Sequence, residues 1–171
     1  MNSSDFFDLC AVGTTDEIKL AIDSGADINA EDNRQRTPLM SAIANNANTE
    51  VPILLIASGA DPNAKDKDGY TVLMVAAVNN PNPETTSLIL NSSGADVNTK
   101  DTHGMTALMY AALSNVNPEV ISLLLDSGAD PYIKNKYGKQ AIDYIKKNKD
   151  LRNTQVVTRL QLSSSTTSLE R

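Results

Sequence analysis

The tripeptide Gly-Ala-Asp occurs four times, at Gly25, Gly59, Gly94 and Gly128, at intervals of 34, 35 and 34 residues. A second motif keeps the same phase: Asp66 through Met74 (Asp-Lys-Asp-Gly-Tyr-Thr-Val-Leu-Met) matches Asp101 through Met109 (Asp-Thr-His-Gly-Met-Thr-Ala-Leu-Met). Asp32 through Met40 is an earlier copy with Gln35 in the glycine's place, and Asn135 through Asp143 is a later, degraded one. Two motifs locked in phase over four copies confine the chain to a stack of like units, each burying its apolar face against its neighbours.

The residues within a unit say how it folds. Thr37, Thr71 and Thr106 stand where a helix needs an N-cap, a hydroxyl accepting a free backbone N–H, and Pro38 follows at the first helical position, where its missing N–H costs nothing. Asn82-Pro83-Glu84 and Asn117-Pro118-Glu119 open second helices with a cap, a proline and an acid at the positive end of the dipole. Thr14 with Glu17 predicts a capping box. The runs Ile53-Leu54-Leu55-Ile56, Leu88-Ile89-Leu90 and Leu123-Leu124-Leu125 read as helix faces buried between repeats. All eight glycines fall in repeat slots, at helix ends or turns that favour φ > 0, which leaves none for a phosphate-binding loop.

The period alone also suits tetratricopeptide repeats. The order of parts does not: an Asp-x-x-Gly turn, a Thr-x-Leu-Met helix start, a break, an apolar helix and a Gly-Ala-Asp closure. That order, with Thr37-Pro38-Leu39-Met40 as the nearest helix start, resembles the ankyrin repeat over about residues 5–150. The resemblance implies an all-α solenoid of helix-turn-helix units with β-turn fingers. The expected layout is one domain over 1–162: an N-terminal cap at 5–30, repeats at about 31–64, 65–99 and 100–133, and a C-terminal cap at 134–162. The Ser/Thr-rich residues 163–171 are expected to be disordered.

Three departures from the family pattern stand out. Met40, Met74 and Met109 occupy the usual histidine position, which predicts apolar packing between repeats in place of hydrogen bonds. Extra residues lie in the loops Asn45–Asn48, Asn79–Asn82 and Ser114–Asn117, read as longer connections because asparagine tolerates turn and αL conformations. A further residue near Ser92-Ser93 lengthens one helix exit, and Pro52 is expected to shift or loosen the start of its helix. The asparagine-rich loops and the Asn-Pro-Glu phrasing resemble those of bacterial members of the family. At the ends, Phe6 through Gly13 reads as a first helix without an upstream finger, Cys10 on its buried side, and Leu151 to Leu162 as a closing helix.

The inventory argues against an enzyme. One histidine and one cysteine, His103 and Cys10, support neither a metal site of Cys/His type nor a nucleophile–histidine pair elsewhere in the chain. Asp27, Asp61, Asp96 and Asp130 are each a repeat apart and are expected to serve their own turns. No catalytic residue, metal or cofactor is predicted. Residues 1–130 hold six Lys/Arg against 18 Asp/Glu, and residues 131–171 hold nine against three, so the net −6 divides into −12 and +6. The acidic majority speaks against nucleic acid. No apolar run approaches the roughly 20 residues of a membrane span, and no secretory leader is evident, so a cytoplasmic monomer is expected.

The resemblance implies that finger tips and first helices form a concave face for a partner protein or peptide. The positions it leaves free to vary are Arg34, Arg36, Lys67, Tyr70, Val78, His103, Met105, Tyr110, Leu113 and Tyr137, with Ser41, Asn45, Val75 and Asn79 beside them. Tyr70, Met105 and Tyr110 form the expected centre, apolar and tyrosine-rich as contact surfaces often are. Val75, Val78 and Leu113 either join that surface or pack beneath the fingers. The lysines at 134, 136, 139, 146, 147 and 149 with Arg152 make a basic C-terminal end, either a solvated cap or a dock for an acidic peptide or an anionic membrane face. The competing function is a spacer or self-associating module with no ligand in the groove.

Overall fold

A computed structural model describes residues 3–79, 82–92 and 95–165. Among them ten α-helices follow one another in antiparallel pairs: α1 (Ser3–Val12) with α2 (Thr15–Asp23), α3 (Pro38–Asn45) with α4 (Glu50–Ala57), α5 (Val72–Asn79) with α6 (Pro83–Asn91), α7 (Ala107–Ser114) with α8 (Pro118–Asp126), and α9 (Ala141–Ile145) with α10 (Gln155–Ser165). The first helices stack in one row and the second helices in another. Every extensive contact lies within a pair or between adjacent pairs, as a solenoid requires.

Each helix starts where its cap dictates. The hydroxyls of Thr37, Thr71 and Thr106 accept from the N–H groups of Met40, Met74 and Met109 at 3.2–3.4 Å. Asn82 and Asn117 accept from Glu84 and Glu119, and Thr14 and Glu17 close a reciprocal capping box. In α4 the proline is accommodated by a shifted start: Thr49 makes no side-chain cap, and Asn48 takes the Glu50 N–H at 3.0 Å instead.

The core runs the length of the stack and is almost free of aromatics. Ile18, Leu39, Leu55, Ile89, Leu108, Ile121 and Leu124 are fully buried. Each contributes about 1.5–3 kcal/mol through burial. Met40, Met74 and Met109 are buried between repeats, as expected of the histidine replacement. The second-helix runs are less enclosed than their composition suggests. Only Leu55, Ile89 and Leu124 are sealed, and Ile53 is 49% exposed. Cys10 is buried, and burial pushes its thiol up to about 12. It is an inert core residue in the native state.

Two of the asparagine loops are tied to the preceding pair; residues 80 and 81 of the loop Asn79–Asn82 lie outside the described residues. The side-chain amide of Asn46 donates to the carbonyls of Cys10 and Gly13, in the preceding pair, and its Oδ1 accepts from Asn48. Asn115 donates back to Ala77, and Asn148 to Ala112 and Asn115. Their φ angles at Asn46 and Asn115 are negative, so an αL conformation is not why asparagine is there. Asn29 and Asn98 make a second ladder on the other row. Each donates to the glycine carbonyl of the following Gly-Ala-Asp copy visible to it (Gly59, Gly128) and accepts from that copy's aspartate N–H. The Gly-Ala-Asp aspartates are local: Asp27, Asp61, Asp96 and Asp130 each accept from the N–H two residues on.

The C-terminal pair differs from expectation at its edges. The closing helix begins at Gln155, four residues late, with Val156 and Leu160 buried. It continues to Ser165, so the first residues of the expected disordered tail are helical; 166–171 lie outside the described residues, as do Ser93 and Gly94 at the expected longer exit.

Candidate interaction surface

The fingers connect successive pairs, and one acceptor organises each. Oδ1 of Asp32 takes the N–H groups of Arg34 and Arg36; Asp66 takes those of Asp68 and Tyr70; Asp101 those of His103 and Met105; Asn135 those of Tyr137 and Lys139. Neighbouring fingers are joined by backbone bonds from Lys67 to Arg34, Thr102 to Asp68 and Lys136 to His103, at 2.8–3.0 Å. The tip needs a positive φ. Gly104 supplies it at 76°, and a Cβ there would come within 3.1 Å of the Asn135 Cα. Gln35 adopts φ 59°, the one such non-glycine residue among those described.

The second polar atom of each organiser is where the fingers part company. Asp32 Oδ2 is held by Arg36 at 2.6 Å. Burial raises the Asp32 carboxyl, but the Arg36 and Arg34 hydrogen bonds and the Arg36 charge together bring it below the usual carboxylate range. Asp101, itself buried, accepts the Tyr110 hydroxyl at 2.6 Å, and Asn135 donates to the Tyr144 hydroxyl at 2.5 Å. Both tyrosines stand nine residues after their organiser. Nine residues after Asp66 stands Val75, which has nothing to offer, and Asp66 Oδ2 has no hydrogen-bond or ion-pair partner among the described residues.

Asp66 also lines a hollow of about 580 Å³. Its walls are α1 (Phe7, Asp8, Ala11), α3 (Met40, Ser41, Ala44, Asn45) and α5 (Val75, Asn79), with Glu31, Asp32, Arg36, Asp66 and Tyr70 from the fingers. The floor is apolar, with Val75 only 6% exposed. Four carboxylates ring it against one cation, Arg36, which Asp32 already engages.

The expected site residues distribute unevenly around this geometry. Arg36 and Tyr70 line the hollow, as do Ser41, Asn45, Val75 and Asn79. Arg34 is exposed and pairs with Asp68 across fingers at 3.0 Å; Lys67 is exposed beside it. Tyr70 and Tyr110 meet edge to face, centroids 4.9 Å apart. Their hydroxyls are committed, Tyr70 to the Met74 carbonyl and Tyr110 to Asp101. Both hold their protons well above the usual tyrosine range, first through burial and then through the neighbouring carboxylates. Val78 is half-buried; His103, Leu113 and Tyr137 are exposed beyond the hollow, His103 with Nδ1 3.8 Å from Asp101. Met105 must be corrected. It is 6% exposed, its sulfur against the Asn135 amide at 3.0 Å, because a flexible thioether packs better on the next finger than in water.

Sequence reasoning missed the α1 wall. Phe7 and Ala11 share a face, and Phe6 and Cys10 share the buried one next to it. Two adjacent phenylalanines on a terminal helix were the available signal: one face alone needs a core.

Stacked helix pairs joined by fingers define an all-α repeat solenoid. The chain matches the family model for ankyrin repeats (3 copies) over residues 9–66 and 45–135, and it belongs to the ankyrin-repeat family. A search among curated proteins finds no match. Ankyrin repeats generally serve protein–protein interaction. Among the described residues no helix is long and apolar enough to cross a membrane, and no group of three or more His, Cys, Asp or Glu is placed to hold a metal ion.

Proposed function

We propose that this chain is a non-enzymatic interaction module that receives a segment of a partner protein in the hollow between α1, α3, α5 and the first two fingers. The observation that carries this reading is the hollow itself. Its volume falls in the ~300–1,000 Å³ range of ligand sites, its floor is apolar, and polar groups ring it at the rim. The seat lies nearer the N-terminus than Tyr110, so Phe7, Ala11, Ala44 and Tyr70 are the contacts to test.

The test is selection of random dodecapeptides displayed on phage, with Ala11→Trp/Ala44→Trp as the filled control. Both alanines are only partly buried, so the indoles enter the hollow, and an unchanged melting curve checks the fold. Peptides that bind the native chain and not the filled variant support the proposal. Peptides that bind both equally contradict it.

A further inference from the structure

We infer that the occupant of this hollow is a basic peptide segment: an apolar side chain on the Phe7–Ala44–Tyr70 floor beside a Lys or Arg whose cation reaches Asp66. This rests on the reading just given and adds the chemistry of the partner. Two independent features carry it. The first is the uncompensated charge around an apolar floor. Arg36 is paired with Asp32, whereas Asp8, Glu31 and Asp66 border the space with no ion pair among the described residues. A partner that left these acids desolvated and unmatched would be rejected, and a cation placed among them is favoured.

The second feature is the comparison among fingers. A guanidinium closes the organising carboxylate in the first finger and a tyrosine in the third, and a tyrosine closes the organising amide in the fourth. Asp66 has the same fixed geometry, its Oδ1 held by two backbone N–H groups at 2.8–2.9 Å, yet its outer oxygen has no partner among the described residues, and the residue lines the hollow. A carboxylate oriented by its own backbone and beside an apolar surface is a pre-organised acceptor for a charged donor. The Arg36–Asp32 pair is the internal model of what the partner would supply.

The chain's own basic end, around Lys146, Lys147 and Lys149, cannot be that partner within one molecule, since extensive contacts join only adjacent repeats. In another copy it could be, and the test separates the two.

The probe is the phage-selected peptide pool and the leading sequence from it, synthesised with a fluorescent label. The pool is expected to place Lys or Arg next to an apolar residue. Asp66→Asn keeps the Oδ1 acceptor, as Asn135 does in its own finger, and removes the charge. It should weaken the leading peptide about tenfold, the loss of one charged hydrogen bond. Asp101→Asn, whose carboxylate is closed by Tyr110, should leave binding unchanged. A pool that needs the hollow but is neutral or acidic, or a leading peptide indifferent to Asp66→Asn, overturns the basic-segment inference and spares the interaction reading. A pool indifferent to the filled variant, or no enrichment at all, overturns both. A mass that rises with concentration in sedimentation, and falls back in Asp66→Asn, names a second copy as the occupant and overturns the peptide.

Discussion

The second and third fingers are built alike and end differently. Asp66 and Asp101 each gather two backbone N–H groups of their own turn, at nearly the same distances. Asp101 then closes on Tyr110 and sinks into the protein, while Asp66, with Val75 nine residues on, keeps its outer oxygen unpartnered among the described residues and lines the hollow. Between these two fingers, one residue on the following helix separates a carboxylate closed into the scaffold from one left open. In a repeat protein that choice can be made unit by unit without disturbing the stack.

The difference predicts unequal costs for the same deletion. Asp101→Ala should destabilise by about 3 kcal/mol in urea unfolding, because it strands two N–H groups and a tyrosine hydroxyl in a buried site. Asp66→Ala should cost about half that, since it strands two groups and nothing beyond them. Equal costs would break the comparison. The reverse change sharpens it. Val75→Tyr should give Asp66 the partner its counterparts have, leave the fold intact and lower peptide affinity tenfold or more, read by titration of the labelled peptide.

A smaller effect concerns the tyrosines. Their folded pKa values are raised, so the stability tied to Tyr70 and Tyr110 is complete below the ordinary tyrosine value of about 10 and lost as pH rises above it. Spectrophotometric titration at about pH 11 should find Tyr70 and Tyr110 still un-ionised in the native chain and ionised in urea. Tyr110→Phe should flatten the alkaline limb of the stability curve. Asp32 works in the opposite sense. Its folded value is lowered, so its stabilisation is present above the normal carboxylate range and fades as pH falls through the folded value. Smallest of all, Gln35→Gly should raise stability by about 0.5 kcal/mol by relieving the left-handed backbone at that fingertip.

What could be read from the sequence was what the chain decides locally. Thr37, Thr71 and Thr106 cap helices three residues away, and the Gly-Ala-Asp turns close on themselves, so period and motif located them. The asparagine clamps were not legible in this way. Asn46, Asn115 and Asn148 act on carbonyls 33–38 residues back, and only the stacked geometry shows that these loops are held. The site was half legible for the same reason. Arg36 and Tyr70 follow from the finger positions, but Met105 occupies Tyr70's slot and lies buried, because Asn135 of the next finger is there to receive it. The α1 wall was hidden by its place at the end of the chain, where a polar cap is the ordinary expectation.

The central claim is that the hollow walled by α1, α3 and α5 is where the partner sits. Backbone amide NMR of the native chain titrated with the leading selected peptide tests it most directly. The account predicts shifts concentrated at Phe7, Ala11, Ala44, Asp66 and Tyr70, with the second helices silent. Shifts centred on the second-helix row, or on the lysine-rich end around Lys146, would contradict it.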